Sequence, residues 1–578
     1  MTGSVAGFRN LVEALDAAPA ERLFVTEWID EDERKDVTFE EFRTQTRSQA
    51  AILGEHGIRA GDRVIVIMPQ SIAAMTTFVG AMTLGAVPAF LAYPNFKIEP
   101  SKYRAGLAGV TANLKAKIVI IDEAFPDDLL SHVTLASGVS SDQTKLLRAS
   151  NADIVSGVLP TLPGHELNSD DLAFIQHSAG TTGLQKGVAL THATVLRQLD
   201  HLAEALKIDG NKDRIYNWLP LYHDMGLIAC FMLPMVNHTP VVMQSPLDWV
   251  MHPETMLQII SEYKCTLSWM PNFAFQFVPR RSPRSRWPQY DLSSVRALIN
   301  CSEPVRSSSM KEFETAFGAI GLRSSAVQSS YAMAENVFAV TQSVVGQGAG
   351  PARVWADGQQ FRVNWIIPVA EGAPGAVSFT SSGRLLPGQE VRIVSDVGSV
   401  LPPRYAGEIL LKSDCLFTGY YNRPDLTEEA LADGWYRTGD LGFMLDDELY
   451  VIGRKKDLLI VGGENVYPLD IEEIVTSHAS IRDGRVIAMG VYNPDLGTED
   501  IVVVAEVERE ELLDDATTIE REIRNLVISG LGVAIKTIFL KPPKWIVKST
   551  AGKAARSATR DKLFREHREL RAETLEKA

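Results

Sequence analysis

Short β-branched runs alternate with helix-length segments through the first three-quarters of the chain. VIVIM at 64–68 precedes an apolar-rich segment at 71–85 that reads as a helix, and IVII follows at 118–121. LAFIQ at 172–176 reads as a buried strand. TLSWM at 266–270 follows a helix with Pro253 in its first turn, and VRALI at 295–299 precedes a helix over about 306–317. This alternation predicts α/β architecture, with sheets covered by helices. After about residue 455 the texture changes. Asp470 with Glu473 three residues on makes a capping-box arrangement that opens a helix. The strand-like VIAMGVY and IVVVAEVE follow, then a helix near 517–529, the strand IKTIFL and a charged C-terminal helix. The pattern predicts a large N-terminal domain, 1–455, with a smaller β subdomain, and a small α+β domain, 456–578.

Composition narrows the class. A chain of 578 residues is long enough for three or four units of roughly 150 residues. Hydrophobic residues at 45% and charged residues at 22% exclude disordered, collagen-like and coiled-coil chains. The balance of 57 basic against 72 acidic residues, −15, argues against a nucleic-acid binder or a polybasic membrane anchor. An anionic small molecule is still allowed, because a local site can oppose the net charge. Cys230, Cys265, Cys301 and Cys415 are too widely spaced for a zinc knuckle and read as free thiols. The N-terminus shows no secretory pattern. The longest uncharged apolar stretch, 225–236, is interrupted by Gly226 and Pro234, whereas a bilayer span needs about 20 apolar residues. The expectation is a cytoplasmic protein with no transmembrane segment. From Lys541 onward 11 basic residues stand against 5 acidic ones. That tail is either a solvated helix face or a cationic lid over an anionic substrate.

Four segments carry candidate chemistry. SAGTTGLQKG at 178–187 directly follows LAFIQ. Small residues, hydroxyls and a lysine let backbone N–H groups, Thr Oγ atoms and an ammonium converge on phosphate oxygens. The P-loop spacing is absent, and the bland alternative is a flexible turn. In YAMAE at 331–335, Tyr331 can stack on a purine and Glu335 can hold a hard Mg²⁺ with phosphate oxygens; core packing explains the same residues. YRTGD at 436–440, followed by GRKKD at 453–457, offers a carboxylate and an arginine suited to ribose hydroxyls. KSTAGK at 548–553 presents a lysine on a Gly-flexed loop that could reach a carboxylate or an α-phosphate, or simply face solvent.

Taken together and in this order, 178–187, Tyr331–Glu335, Thr438–Asp440, Arg454 and Lys553 resemble the core motifs of the adenylate-forming superfamily, across nearly the whole chain. The finer resemblance is to fatty acyl-AMP ligases. It is carried by WLPLYHDMGLI at 218–228, PNFAF at 271–275, NCSEPV at 300–305 and GENVYPLDIE at 463–472. Between Glu335 and Gly388 lie 52 residues, and the surplus near 345–375 matches that family's extra insertion, which is associated with poor use of CoA. Departures are Ala179, Gln185, Ala332 and Val547; none removes a charged or hydroxyl group, so they bear on rate and loop geometry.

The resemblance implies ATP-dependent conversion of a carboxylic, fatty-type acid to acyl-AMP with release of pyrophosphate. Transfer to the pantetheine thiol of an acyl carrier protein follows. It assigns Ser178, Thr181, Thr182 and Lys186 to the phosphates, Glu335 to Mg²⁺, and Tyr331 to adenine. Asp440 and Arg454 go to the ribose, and Ser302 and Glu303 to the nucleotide site. His223 borders the acyl pocket, and Lys553 acts in the transition state. Lys456 is the hinge about which a mobile C-terminal domain turns. Three alternatives stay open: an acyl-CoA synthetase using free CoA, an enzyme that has lost adenylation, and a non-catalytic ligand-binding protein on this fold. Trp269, Phe273 and Phe275 suggest an apolar acyl pocket.

Overall fold

The computed structural model describes residues 7–94, 100–134, 145–148, 162–177, 186–346, 348, 350–462, 464–493, 496–548, 554–567 and 570. Most strand-like runs of the first three-quarters lie inside two parallel sheets, whereas LAFIQ pairs antiparallel with Gly187–Thr191 in a separate three-stranded sheet. In the larger, nine-stranded sheet, Ile215–Asn217, Leu267–Met270, Ala297–Asn300 and Val327–Ala332 run parallel side by side. Antiparallel strands close its two ends. The second sheet orders Val87–Phe90, Arg63–Ile67, Ile118–Ile121 and Lys145–Arg148, all parallel. Strands buried on both faces read as continuous apolar runs, which is why these segments were legible as strands. Ile72–Thr83, apolar on almost every face, is buried along its length, as an all-round hydrophobic helix must be.

The β subdomain is an antiparallel sheet built on Gln389–Val394, Gly407–Ser413 and Trp435–Leu445, with Glu448–Arg454 returning along the last strand. The segment 353–380 forms its own three-stranded sheet, Pro368–Val369, Arg353–Asp357 and Ala376–Thr380. It packs Phe361, Ile366 and Phe379 against Phe443, Tyr450 and Tyr467 in one buried cluster. The α+β lobe is a sheet of Ile481–Asn493, Thr498–Val507 and Ile535–Lys541. One face packs on Pro468–Thr476 and Ala516–Leu531, the other on Arg556–Glu566. Among the described residues no helix is long and apolar enough to cross a membrane.

One local expectation fails. The helix expected to open at Asp470 begins at Pro468, is preceded by Tyr467, and has no side-chain cap. Proline at the first helical position carries its own preset φ, so the start moves two residues upstream. Glu473 instead leaves the helix: its carboxylate accepts a hydrogen bond from Ser308 Oγ at 3.1 Å and lies 3.7 Å from Arg306. Asp470 is left at a crowded seam, where burial first and Glu473 second push its carboxyl up to about 7. An unfolded aspartate ionises near pH 4. Stability therefore falls as pH rises from about 4 to 7, because only the folded state still holds that proton. Asp470→Asn is expected to raise Tm at pH 8 and leave it unchanged near pH 4; the same gain at both pH values would refute the assignment.

Candidate functional site

A cleft of about 2230 Å³ lies between the large lobe and the α+β lobe. Its floor is made where the nine-stranded sheet meets the β subdomain. Val327–Ala332 delivers Tyr331, and the hairpin Trp435–Leu445/Glu448–Arg454 places Asp440 directly across from Arg454. Arg454 Nε lies 2.8 Å from Asp440 Oδ1, and the Tyr331 hydroxyl donates to Asp440 Oδ2 at 2.5 Å. The Asp440 backbone N–H donates to Thr438 Oγ1, which in turn donates to the Ile409 carbonyl. Burial pushes the Asp440 carboxyl up, and the Arg454 charge opposes that. The Tyr331 hydroxyl is held well above its ordinary range by burial and by the adjacent carboxylate.

Glu335 sits at the next turn. Its Oε1 accepts the Tyr420 hydroxyl at 2.8 Å, and that hydroxyl lies 3.3 Å from the Tyr436 hydroxyl. No lysine or arginine lies within ion-pair distance of Glu335 among the described residues. A hard, anionic oxygen donor facing a cleft without a cationic partner suits a divalent ion shared with phosphate oxygens. Two residues on, Val337 holds φ at +61° and is fully buried. A β-branched residue there costs on the order of 1–3 kcal/mol, and strain of this kind concentrates at functional turns. Lys186 Nζ lies 4.5 Å above the Tyr420 ring, a cation–π contact that brings the ammonium to the same wall.

Ser302 and Glu303 line the cleft. Glu303 Oε2 accepts the Phe273 backbone N–H at 3.0 Å, and Ser302 adopts a left-handed φ of +68°. His223 lines the cleft too, with Nδ1 2.6 Å from Asp224 Oδ1. Immediately after it, Met225–Met232 is a π-helix, a rare form that recurs at functional sites. Gly226 permits this turn. A Cβ there would stand 2.3 Å from the Pro220 carbonyl oxygen. Gly226→Ala is expected to cost about 1–3 kcal/mol and to displace His223, read as a lower Tm together with a raised KM for the acid. An unchanged KM would detach the turn from the site.

The structure thus brings Lys186, His223, Ser302, Glu303, Tyr331, Glu335, Asp440, Arg454 and Lys456 to one cavity wall. Ser178, Thr181 and Thr182 lie outside the described residues, between His177, which ends one strand, and Gly187, which begins the next. Lys553 also lies outside them, and its flanks Lys548 and Ala554 pair with each other and line the cleft. Lys456 stands in the turn Lys455–Asp457 between the lobes, where burial pushes its ammonium down. Trp269 and Phe275 are fully buried core rather than pocket wall, whereas Phe273 lines the cleft with Trp218 and Phe277.

Sequence reasoning missed Tyr420, Glu408, His177 and Arg556. Glu408 binds Arg437 and Lys455. His177 lines the cleft, and burial pushes its imidazole down to about 4. Arg556, the first residue of the C-terminal helix, binds Glu472 and the Ala488 carbonyl and lies 3.6 Å from Asp457 in the turn Lys455–Asp457. An arginine three residues beyond Lys553 was the available signal. The others carry no pattern of their own in sequence.

A large α/β lobe and a smaller α+β lobe, with a cleft that holds a buried aspartate paired to an exposed arginine and a glutamate bonded to a tyrosine, fit a nucleotide-dependent enzyme of two lobes. A family profile described as AMP-binding enzyme matches residues 12–421, and the chain belongs to that family of adenylate-forming ligases. It is 31% identical to a 4-hydroxyphenylalkanoate adenylyltransferase of Mycobacterium marinum, over 86% of this chain and 81% of the relative. It is 29% identical to the medium-chain-fatty-acid–[acyl-carrier-protein] ligase JamA of Moorena producens, over 92% and 91%. A solved structure from work on fatty acyl-adenylate ligases of E. coli and L. pneumophila superposes with a TM-score of 0.85 at 25% identity, covering 98% of this chain and 99% of that one.

Proposed function

We propose that the protein activates a fatty-type carboxylic acid with ATP as an acyl-AMP and passes the acyl group to the pantetheine thiol of a carrier protein. The observation that carries this is the convergence of Glu335, Lys186 and the Asp440–Arg454–Tyr331 cluster in one cleft that Lys548 and Ala554 also line. The domains divide at the hinge turn, 1–455 and 456–578. Asp440 and Arg454 take the ribose, and Tyr331 offers its ring to the adenine. Ser178, Thr181, Thr182 and Lys186 take the phosphates, with Ser302 and Glu303 lining the nucleotide's side of the cleft. A Mg²⁺ ion held by Glu335 would neutralise phosphate charge.

A carboxylate oxygen attacks the α-phosphorus: the new O–P bond forms as the bond to the bridging oxygen breaks, and pyrophosphate leaves. A thiol then adds to the acyl carbon, AMP departs with the bonding electrons, and the thiol proton is lost. No covalent enzyme intermediate is needed, so orientation and charge stabilisation dominate. Lys553 meets charge that develops only in the first transition state. Lys553→Ala is expected to lower kcat for pyrophosphate release by about 10²–10³ while ATP binding persists. Wild-type release by this variant would remove the assignment.

The insertion supports a protein-borne acceptor over free CoA. The apolar run 363–369 docks only in part: Ile366 is buried, but Val363 is 64% and Trp365 40% exposed. The fastening comes from neighbouring residues. Arg362 pairs with Glu464 at 2.8 Å and donates to the Leu531 carbonyl. Asn364 Oδ1 accepts from Asn465 and Tyr467, and Phe361 stacks on Tyr467 at 4.7 Å. All four partners lie in the smaller lobe, so the insertion resists its rotation. Arg362→Ala with Asn364→Ala is expected to raise acyl-CoA formation relative to acyl-AMP accumulation by about tenfold. Efficient acyl-CoA synthesis by the unaltered protein would favour the synthetase reading instead.

A further inference from the structure

One exposed surface beside the cleft is not used by this chemistry. The helix Ala274–Arg281 follows Phe273 out of the cleft interior and ends at Arg280 and Arg281, which still line its wall. The chain then turns through Arg284–Gln289. Residues 277–290 hold four arginines and no acidic residue, in a chain of net charge −15. Arg280 is engaged, with Glu312 at 2.7 Å and with Asp483 of the smaller lobe. Arg281, Arg284 and Arg286 are exposed and form no ion pair among the described residues. On the short helix Pro246–Met251, whose Trp249 ring lies 5.5 Å from that of Phe277, Leu247 and Val250 line the same cleft and Met251 is 66% exposed.

We propose that Arg281, Arg284 and Arg286, flanked by Leu247 and Met251, dock the acidic face of the carrier protein that brings the pantetheine thiol. This rests on the acceptor reading above. A pantetheine arm carries its thiol at one end and a phosphodiester, followed by the protein, at the other. A thiol inside the cleft therefore leaves an anion and a protein surface at the mouth, where these cations stand. The chain as a whole carries −15, so an acidic partner is steered toward its basic segments, of which this one stands at the cleft. The exposed apolar pair gives such a partner a dry centre inside a charged rim.

The test is the triple variant R281E/R284E/R286E, assayed with a holo acyl carrier protein of net negative charge and, separately, with free pantetheine. The KM for the carrier is expected to rise by about tenfold and to lose most of its dependence on NaCl. Pyrophosphate release and transfer to free pantetheine stay at wild-type rates, and the triple lysine variant restores the carrier KM. The triple glutamine variant, matched to wild type in Tm, guards against loss of fold and is expected to show an intermediate KM. An unchanged carrier KM overturns the docking surface alone. A wild-type enzyme that acylates free pantetheine but no carrier overturns the acceptor reading and the surface with it. Sedimentation of wild type, but not the glutamate variant, with phosphatidylglycerol vesicles at an unchanged carrier KM assigns the patch to a lipid surface and overturns the proposal.

Discussion

Asp440 and Arg454 face each other across a hairpin, and the surroundings keep the buried Asp440 carboxylate satisfied while Arg454 reaches into the cleft. An isolated buried carboxylate is costly enough to take up a proton instead. Here the guanidinium at 2.8 Å and the Tyr331 hydroxyl at 2.5 Å supply the partners. The hairpin register fixes both side chains at once, because Asp440 and Arg454 are directly opposed. The next residues along the chain are the turn Lys455–Asp457. The segment joining the lobes thus begins one residue after the charged pair, so in the proposed reaction a nucleotide held by the pair also bears on the orientation of the smaller lobe.

The same economy appears on the other side of the joint. Asp457 contacts Arg556, and Arg556 holds Glu472 and the Ala488 carbonyl. The turn Lys455–Asp457 and the start of the C-terminal helix are therefore fastened to one another. In the reaction proposed above, a rotation at that turn carries the helix with it. This suits a reaction with two successive nucleophiles, each needing the same space.

Most of the architecture could be read from periodicity, because buried parallel strands are continuous apolar runs and their neighbours are helices of ordinary length. The start of the helix at Pro468 could not, because Asp470 and Glu473 mimic a cap while Glu473 is spent on Ser308 and Arg306 across the lobe interface. The site residues were legible as motifs, and nine of them line the cleft. The tyrosines that hold Glu335 and the tether at Arg556 were not, since their roles depend on contacts between segments far apart in sequence. Phe275 and Trp269 show the converse: an aromatic beside a motif is as easily core as pocket, and only burial decides.

The insertion's grip on the smaller lobe has a magnitude suited to bias rather than lock. An exposed ion pair such as Arg362–Glu464 contributes about 0.2–1 kcal/mol. A stacked aromatic pair such as Phe361–Tyr467 adds about 0.5–1.5 kcal/mol beyond its area. With two side-chain hydrogen bonds to Asn364 of about 1 kcal/mol each, the sum is a few kcal/mol. Each 1.4 kcal/mol is about tenfold in population, so the closed orientation is favoured strongly yet remains escapable. A partner that gains differential contacts in the rotated state can offset the bias, whereas a small thiol with few contacts cannot. Under this balance, acceptor selectivity follows from how much binding free energy the acceptor brings to the rotated state, and an extended docking face on the carrier supplies what the pantetheine arm alone lacks.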